Sequence, residues 1–142
     1  FQRRLDALGA RVRTEQVMRL CFADPASVPE HRIVESMEEA AELGRHAWAA
    51  PCLLYTSFRT WVASGGRSMW RLAALVRAPS LVVWGAQDRL ISVRKAPRIA
   101  RLLPRGRLLV LPGTGHVAQM ERPVSVARGV LGMWEAVGRG EW

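Results

Sequence analysis

The sequence predicts an α/β protein organised around a parallel strand–helix–strand crossover. Two runs, Leu81-Val-Val-Trp84 and Leu108-Leu-Val-Leu111, are apolar without alternation, as strands covered on both faces are. The segment between them, Val93 to Leu103, places Ala96, Ile99, Ala100 and Leu103 at i, i+3, i+4 and i+7, the spacing of one helix face. A strand–helix–strand unit of this length is a crossover of right-handed sense in nearly all proteins.

Residues 1–66 read mostly as helix. Leu5, Leu8, Val12, Val17, Met18 and Leu20-Cys-Phe22 recur near helical spacing, interrupted at Gly9. Asp24-Pro25-Ala-Ser-Val-Pro29 predicts a break, because an Asp and two prolines favour a turn. A helix from about Pro29 follows, since proline is tolerated in a first turn. Ile33 or Val34, Met37 and Ala41 form its apolar face; Glu35, Glu38, Glu39 and Glu42 form its wet one. A bend is expected between Gly44 and Pro51. The stretch Leu53 to Val62 suits helix or strand, and its helical surroundings decide for helix.

Ser64-Gly65-Gly66 is the expected linker. Beyond it a short amphipathic helix buries Met69, Leu72, Leu75 and Val76 and stops before Pro79, which disfavours helical geometry in the preceding residue. After the first strand, Arg94, Lys95, Arg98 and Arg101 line the solvent side of the crossover helix, and Pro104-Arg-Gly106 ends it. Pro123 opens a last helix, with Val124, Ala127, Leu131 and Trp134 as its expected buried face. Gly129 and Gly132 each weaken it by about 1 kcal/mol relative to alanine, so packing must hold it. Gly138 is its expected end.

Two strands that both need cover and parallel neighbours do not make a stable sheet alone. The sequence therefore reads as the C-terminal part of a larger α/β protein. The chain starts at Phe1 rather than Met, which fits an upstream portion; whether a signal peptide heads it lies outside this sequence.

Composition narrows the function. The 142 residues are 49% hydrophobic, within the globular range of roughly 45–50%. Net charge is +9, and of 21 basic residues only Lys95 is lysine. The arginines are spread along the chain without a dense basic run, so solvated surface charge is the expectation rather than a nucleic-acid partner. Cys21 and Cys52 stand far apart without a C-x-x-C pattern, which argues against a metal site or a disulfide framework. Both lie among apolar residues and are expected as buried, reduced thiols, in keeping with a cytoplasmic location. No apolar stretch approaches the ~20 residues needed to span a bilayer.

Asp88 and His116 are the candidates for chemistry. Each follows one of the apolar strands through a glycine-bearing loop: Gly85-Ala-Gln before Asp88, and Pro112-Gly-Thr-Gly115 before His116. Sites in open parallel sheets form outside the carboxyl ends of the strands. Neighbouring strands lie about 4.8 Å apart, so the two loops can bring the carboxylate to the ring. There it fixes the tautomer and stabilises the imidazolium formed when the ring takes a proton. Gly85, Gly113 and Gly115 permit the tight backbone these loops need.

Two stretches carry a resemblance. Pro79-Ser-Leu-Val-Val-Trp-Gly-Ala-Gln-Asp-Arg-Leu90 resembles the acid-bearing strand of the α/β-hydrolase superfamily. Leu108-Leu-Val-Leu-Pro-Gly-Thr-Gly-His-Val-Ala-Gln-Met-Glu-Arg-Pro123 resembles its histidine-bearing strand. The resemblance covers residues 67–142 and implies the C-terminal part of the hydrolase core. Residues 1–66 fall where many members insert a helical lid or cap. It implies Asp88 as triad acid and His116 as general base, in the family's order of nucleophile, acid, histidine.

The family's nucleophile elbow, G-x-S-x-G or its Asp variant, does not occur in this sequence: Ser64-Gly65-Gly66-Arg67-Ser68 has the wrong spacing, and Ser57 lacks flanking glycines. The implied activity is hydrolysis of a small ester or similar apolar substrate by a parent protein, with the fragment alone inactive. Related members cleave epoxide, carbon–halogen or carbon–carbon bonds, and a small-molecule-binding protein without catalysis is a further alternative. Trp48, Tyr55, Phe58 and Trp61 are candidates to line an apolar substrate pocket, with ordinary lid-to-core packing as their other reading. Val117 and Met120 follow the histidine and either touch substrate or pack. Glu121 suits a cap on the last helix. His31 and His46 read as surface residues. A small-molecule substrate is the expected partner, with no cofactor or metal; the oligomeric state is not legible.

Overall fold

A computed structural model describes residues 9–46, 48–63 and 69–142. The elements in order are α1 (Ala10–Cys21), a 3-10 turn (Pro25–Ser27), α2 (Glu30–Arg45), α3 (Ala49–Ala63), α4 (Met69–Ala73), β1 (Ser80–Gly85), a second 3-10 turn (Val93–Lys95), α5 (Ala96–Leu102), β2 (Gly106–Leu111), α6 (Ala118–Glu121) and α7 (Pro123–Gly138). They fall into two units. One holds Phe1–Met18 and Pro25–Ser68, the other Arg19–Asp24 and Met69–Trp142. The return of Arg19–Asp24 to the C-terminal unit carries no mark in the sequence. The expected linker at 64–66 lies outside the described residues.

The first unit is helical. Pro29 stands at the N-terminal boundary of α2 with extended backbone, φ −62° and ψ 144°, as a proline entering a first turn does. Arg11 grips both oxygens of Glu30 at 2.6 and 2.9 Å and also reaches Glu15 at 2.9 Å, linking α1 to α2. All three side chains are well exposed, so the pairs contribute little stability. The segment 53–62 is helical, within α3.

The second unit contains the crossover. β1 and β2 pair in parallel, from Ser80 opposite Gly106 to Gly85 opposite Leu111. Ser92 caps the 3-10 turn that precedes α5: its hydroxyl accepts the Arg94 N–H at 3.4 Å. Ala96 and Ala100 are the buried residues of α5, and the helix packs against both strands. Small side chains at this face let the helix axis approach the sheet. Leu75 and Val76, expected inside, are exposed, because α4 ends at Ala73 and the chain leaves as a turn.

The last helix corrects the reading of its faces. Val124, Leu131 and Trp134 are exposed, Trp134 at 63%, while Ala136 is buried and Val126, Gly129, Val130 and Met133 are half-buried. Both faces are apolar, so periodicity alone does not choose. Gly129 does: a Cβ there would lie 2.7 Å from Leu109 Cδ2 and 3.5 Å from Leu81 Cδ2. The glycine is the point where α7 rests on the sheet, and it brings its own face inward. Among the described residues no helix is long and apolar enough to cross a membrane.

Candidate active site

The site is assembled at the carboxyl ends of β1 and β2. Asp88 follows β1 through a turn closed by its N–H to Gly85 O at 3.3 Å. The turn is tied to the loop after β2. Ala86 N–H donates to Leu111 O and Gln87 N–H to Thr114 O, each at 2.9 Å. Thr114 N–H returns a bond to Gln87 Oε1 at 3.0 Å. Thr114 is fully buried, and Gly113 supplies the left-handed turn at φ +62° that other residues adopt at a cost.

The two sequence-predicted catalytic candidates meet. His116 Nδ1 lies 2.9 Å from Asp88 Oδ2. Asp88 Oδ1 accepts the N–H groups of Leu90 at 2.8 Å and Ile91 at 2.9 Å. An ionised carboxylate only accepts, so Nδ1 is the ring's donor to Asp88, and in a neutral ring the lone pair is then on Nε2. The Asp88 side chain is 4% exposed and that of His116 36%: the acid is enclosed and the base reachable.

Burial alone would push the Asp88 carboxyl up; donation by Ile91 N–H, by the His116 ring and by Leu90 N–H outweighs it and holds the group below the ordinary carboxylate value. A carboxyl lowered in the folded state adds stability above its unfolded value of about 3.9. That contribution is lost as pH falls through the lower folded value. The melting-temperature gap between wild type and Asp88→Asn should therefore be widest near neutral pH and narrow in acid below about pH 4. Thermal melts from neutral pH into acid check this; a gap that does not change with pH counts against an ionised, bonded Asp88.

Beside the pair is a cleft of about 200 Å³ whose lining includes Val83, Trp84, Ile91, Gln119 and Val126 with Asp88 and His116. Trp84 donates its indole N–H to Ile91 O at 3.1 Å, so its ring is held as a wall. Val117 is half-buried next to the histidine, and Met120 is exposed. Trp48, Tyr55 and Phe58 belong to the first unit and are exposed; Tyr55 is bonded to Arg59 at 3.3 Å. The Trp61 side chain lies outside the described residues. Among those residues no group of three His, Cys, Asp or Glu side chains gathers as a metal site requires.

The support beneath the histidine carries no mark in the sequence. His116 N–H donates to Cys21 O at 2.6 Å. Arg89, next to the acid, donates to Arg19 O at 2.9 Å and Ala23 O at 3.3 Å. Glu121 does not cap α7, whose start has no side-chain cap bond. Its carboxylate accepts Gly115 N–H at 2.6 Å and Ala23 N–H at 2.8 Å instead. Those partly buried donors have stronger need of a charged acceptor than a helix end open to water. Cys21 is half-buried and Cys52 exposed, so neither thiol is fully buried as expected; around Cys52 the described side chains of α3 are exposed on every face. Burial, with the charges of Asp88 and Glu121, pushes the Cys21 thiol up, which keeps it protonated and unreactive.

The model of the α/β-hydrolase fold family matches residues 22–123. The chain belongs to the α/β-hydrolase fold family. This hydrolase-fold chain is 32% identical over 111 residues to the dihydrolipoyllysine-residue acetyltransferase component of the acetoin cleaving system of Pseudomonas putida, covering 78% of the chain and 27% of that protein. It is 32% identical over 56 residues to monoacylglycerol lipase ABHD6 of Rattus norvegicus, covering 39% of the chain and 17% of the lipase. A solved serine hydrolase involved in carbazole degradation superposes with a TM-score of 0.64 at 20% identity, over 88% of the chain and 47% of that structure. The hydrolase-fold chain thus spans less than half the length of each of these proteins.

Proposed function

We propose that this chain supplies the acid and the base of a nucleophile–histidine–aspartate triad that hydrolyses a small ester. The observation supporting the reading is the 2.9 Å contact between His116 Nδ1 and Asp88 Oδ2 at the ends of adjacent parallel strands. With Nδ1 donating to Asp88, Nε2 is the free base. It takes the proton of the nucleophile's hydroxyl as that oxygen attacks the ester carbonyl. The buried carboxylate stabilises the imidazolium, which then protonates the departing alkoxide. Water activated by the same nitrogen releases the acid.

The nucleophile in this reading lies outside these 142 residues, since G-x-S-x-G is absent from them. Residues 1–66 serve as a lid or cap and 67–142 as the C-terminal part of the core. Val117, half-buried beside the histidine, contacts the apolar part of the substrate. The lipase among the relatives supports an ester as substrate class.

Purified alone, the 142-residue chain should leave a simple aryl ester at its background rate of hydrolysis. Turnover that disappears on His116→Ala would overturn the placement of the nucleophile elsewhere. In a longer protein carrying this sequence, ester turnover that survives both Asp88→Asn and His116→Ala sinks the whole reading.

A further inference from the structure

We propose that Glu121 is a positioning residue for His116, a role that rests on reading Asp88 and His116 as a working pair. Glu121 touches neither side chain of the pair by any bond described above. It acts on the backbone that presents the ring. One oxygen accepts the N–H of Gly115, the residue immediately before the histidine, at 2.6 Å; the other accepts the N–H of Ala23 at 2.8 Å. A single half-buried carboxylate thus joins the histidine loop to the segment Arg19–Asp24.

Three further features make that joint a fixed one. The histidine's own N–H donates to Cys21 O at 2.6 Å. Gly115 is pressed so closely on this segment that a Cβ would collide with the backbone of Cys21, Phe22 and Ala23. Arg89, adjacent to the acid, holds the carbonyls of Arg19 and Ala23. The acid loop and the base loop therefore grip the same short segment, and Glu121 is the charged link on the histidine side. A charged acceptor makes hydrogen bonds roughly twice as strong as a neutral one.

A residue that only stabilises the fold and one that sets the ring's place differ in what they move. Loss of a structural contact lowers the melting temperature but leaves the ring bonded to Asp88 in the molecules that remain folded. Loss of a positioning contact shifts the ring itself. The reporter is the tautomer of His116, read by ¹⁵N NMR of a histidine-labelled longer protein that carries this sequence with the rest of its sheet, at a pH where its imidazoles are neutral and well below each variant's melting temperature. His116→Ala assigns the signal by its loss.

In the wild-type chain the Nδ1–H tautomer predominates. In Glu121→Gln the amide keeps one acceptor and turns an NH₂ toward the other backbone donor, so one of the two charge-assisted bonds is lost and the other weakened, and the ratio of Nδ1–H to Nε2–H should fall roughly fivefold. Hydrogen exchange at the Gly115 and His116 amides should speed up while β1 and β2 stay protected. Should Glu121→Gln fail to fold, Glu121→Asp gives the same readout, because a side chain one methylene shorter reaches only one of the two donors. An unchanged tautomer ratio in whichever variant folds overturns the proposal, whatever its melting temperature. Asp88→Asn separates this from the underlying reading. That variant must itself abolish the preference for Nδ1–H; if it does not, the pair is not a working pair and the role of Glu121 falls with it, whereas a loss in Asp88→Asn beside an unchanged ratio in the Glu121 variant overturns the role of Glu121 alone.

Discussion

In a protein that carries this chain together with the nucleophile, His116→Ala is expected to lower kcat by about 10⁴-fold, and Asp88→Asn by a similar factor. The reasons differ. Alanine removes the base, so the nucleophile must shed its proton to water. Asparagine leaves the ring in place but inverts its protonation. The Asp88 carboxylate only accepts and holds the Nδ1 proton across 2.9 Å; an asparagine amide at that distance can donate to Nδ1 and drive the proton to Nε2, the nitrogen that has to be free. Leu90 and Ile91 N–H donate to the other oxygen, and the amide oxygen of asparagine replaces it there, which fixes the amide with its NH₂ toward the ring. Steady-state kinetics on an aryl ester check the pair. The loss should fall mainly on kcat, because the proton transfer these two groups support is made only on the way to the transition state. A loss under about tenfold for Asp88→Asn would show that the carboxylate is not what sets the ring.

How far the sequence foretold this site depends on which physical signal each residue leaves. The strands were legible because an unbroken apolar run in a chain of this kind has one good solution, a sheet covered on both faces. Once the strands are fixed, Asp88 and His116 stand out by their place in glycine-bearing loops at the carboxyl ends and by the resemblance of the two stretches to the hydrolase family. The contacts with Arg19–Asp24 were not legible. They use the backbone oxygens of Arg19, Cys21 and Ala23 as acceptors, and a backbone oxygen looks the same at every position of a sequence. Glu121 was seen but misassigned, since an acid two residues before a helix-opening proline is also what a dipole-facing residue looks like. The inward face of α7 was misread for a related reason. The pattern Val124, Ala127, Leu131, Trp134 is as apolar as the pattern Val126, Gly129, Val130, Met133, and choosing between them takes the close approach that Gly129 alone allows.

The glycines of the two loops carry the second large expected effect. A Cβ at Gly85 would strike the carbonyl oxygens of Thr114 and Gly115, and one at Gly115 the backbone of Cys21, Phe22 and Ala23. In each case the obstacle is backbone, with no rotamer to swing aside. Gly85→Ala must therefore open the contact between the acid loop and the histidine loop, where Gln87 and Thr114 exchange bonds at 2.9 and 3.0 Å. Overpacking of this kind costs about 3 kcal/mol at the upper end of its usual range, or roughly 10 °C in melting temperature for a chain of this size. Gly132→Ala is the counterpart. Gly132 lies inside α7 with open space where a Cβ would go, and alanine there should stabilise by about 0.5–1 kcal/mol. Thermal melts of the two variants separate the causes, because both add one methyl group to one glycine. If Gly85→Ala melts with the wild type, the loops are not pressed together and the route by which β1 and β2 align Asp88 with His116 is wrong. If it melts low while Gly132→Ala melts high, the alignment depends on the direct backbone contact at Gly85.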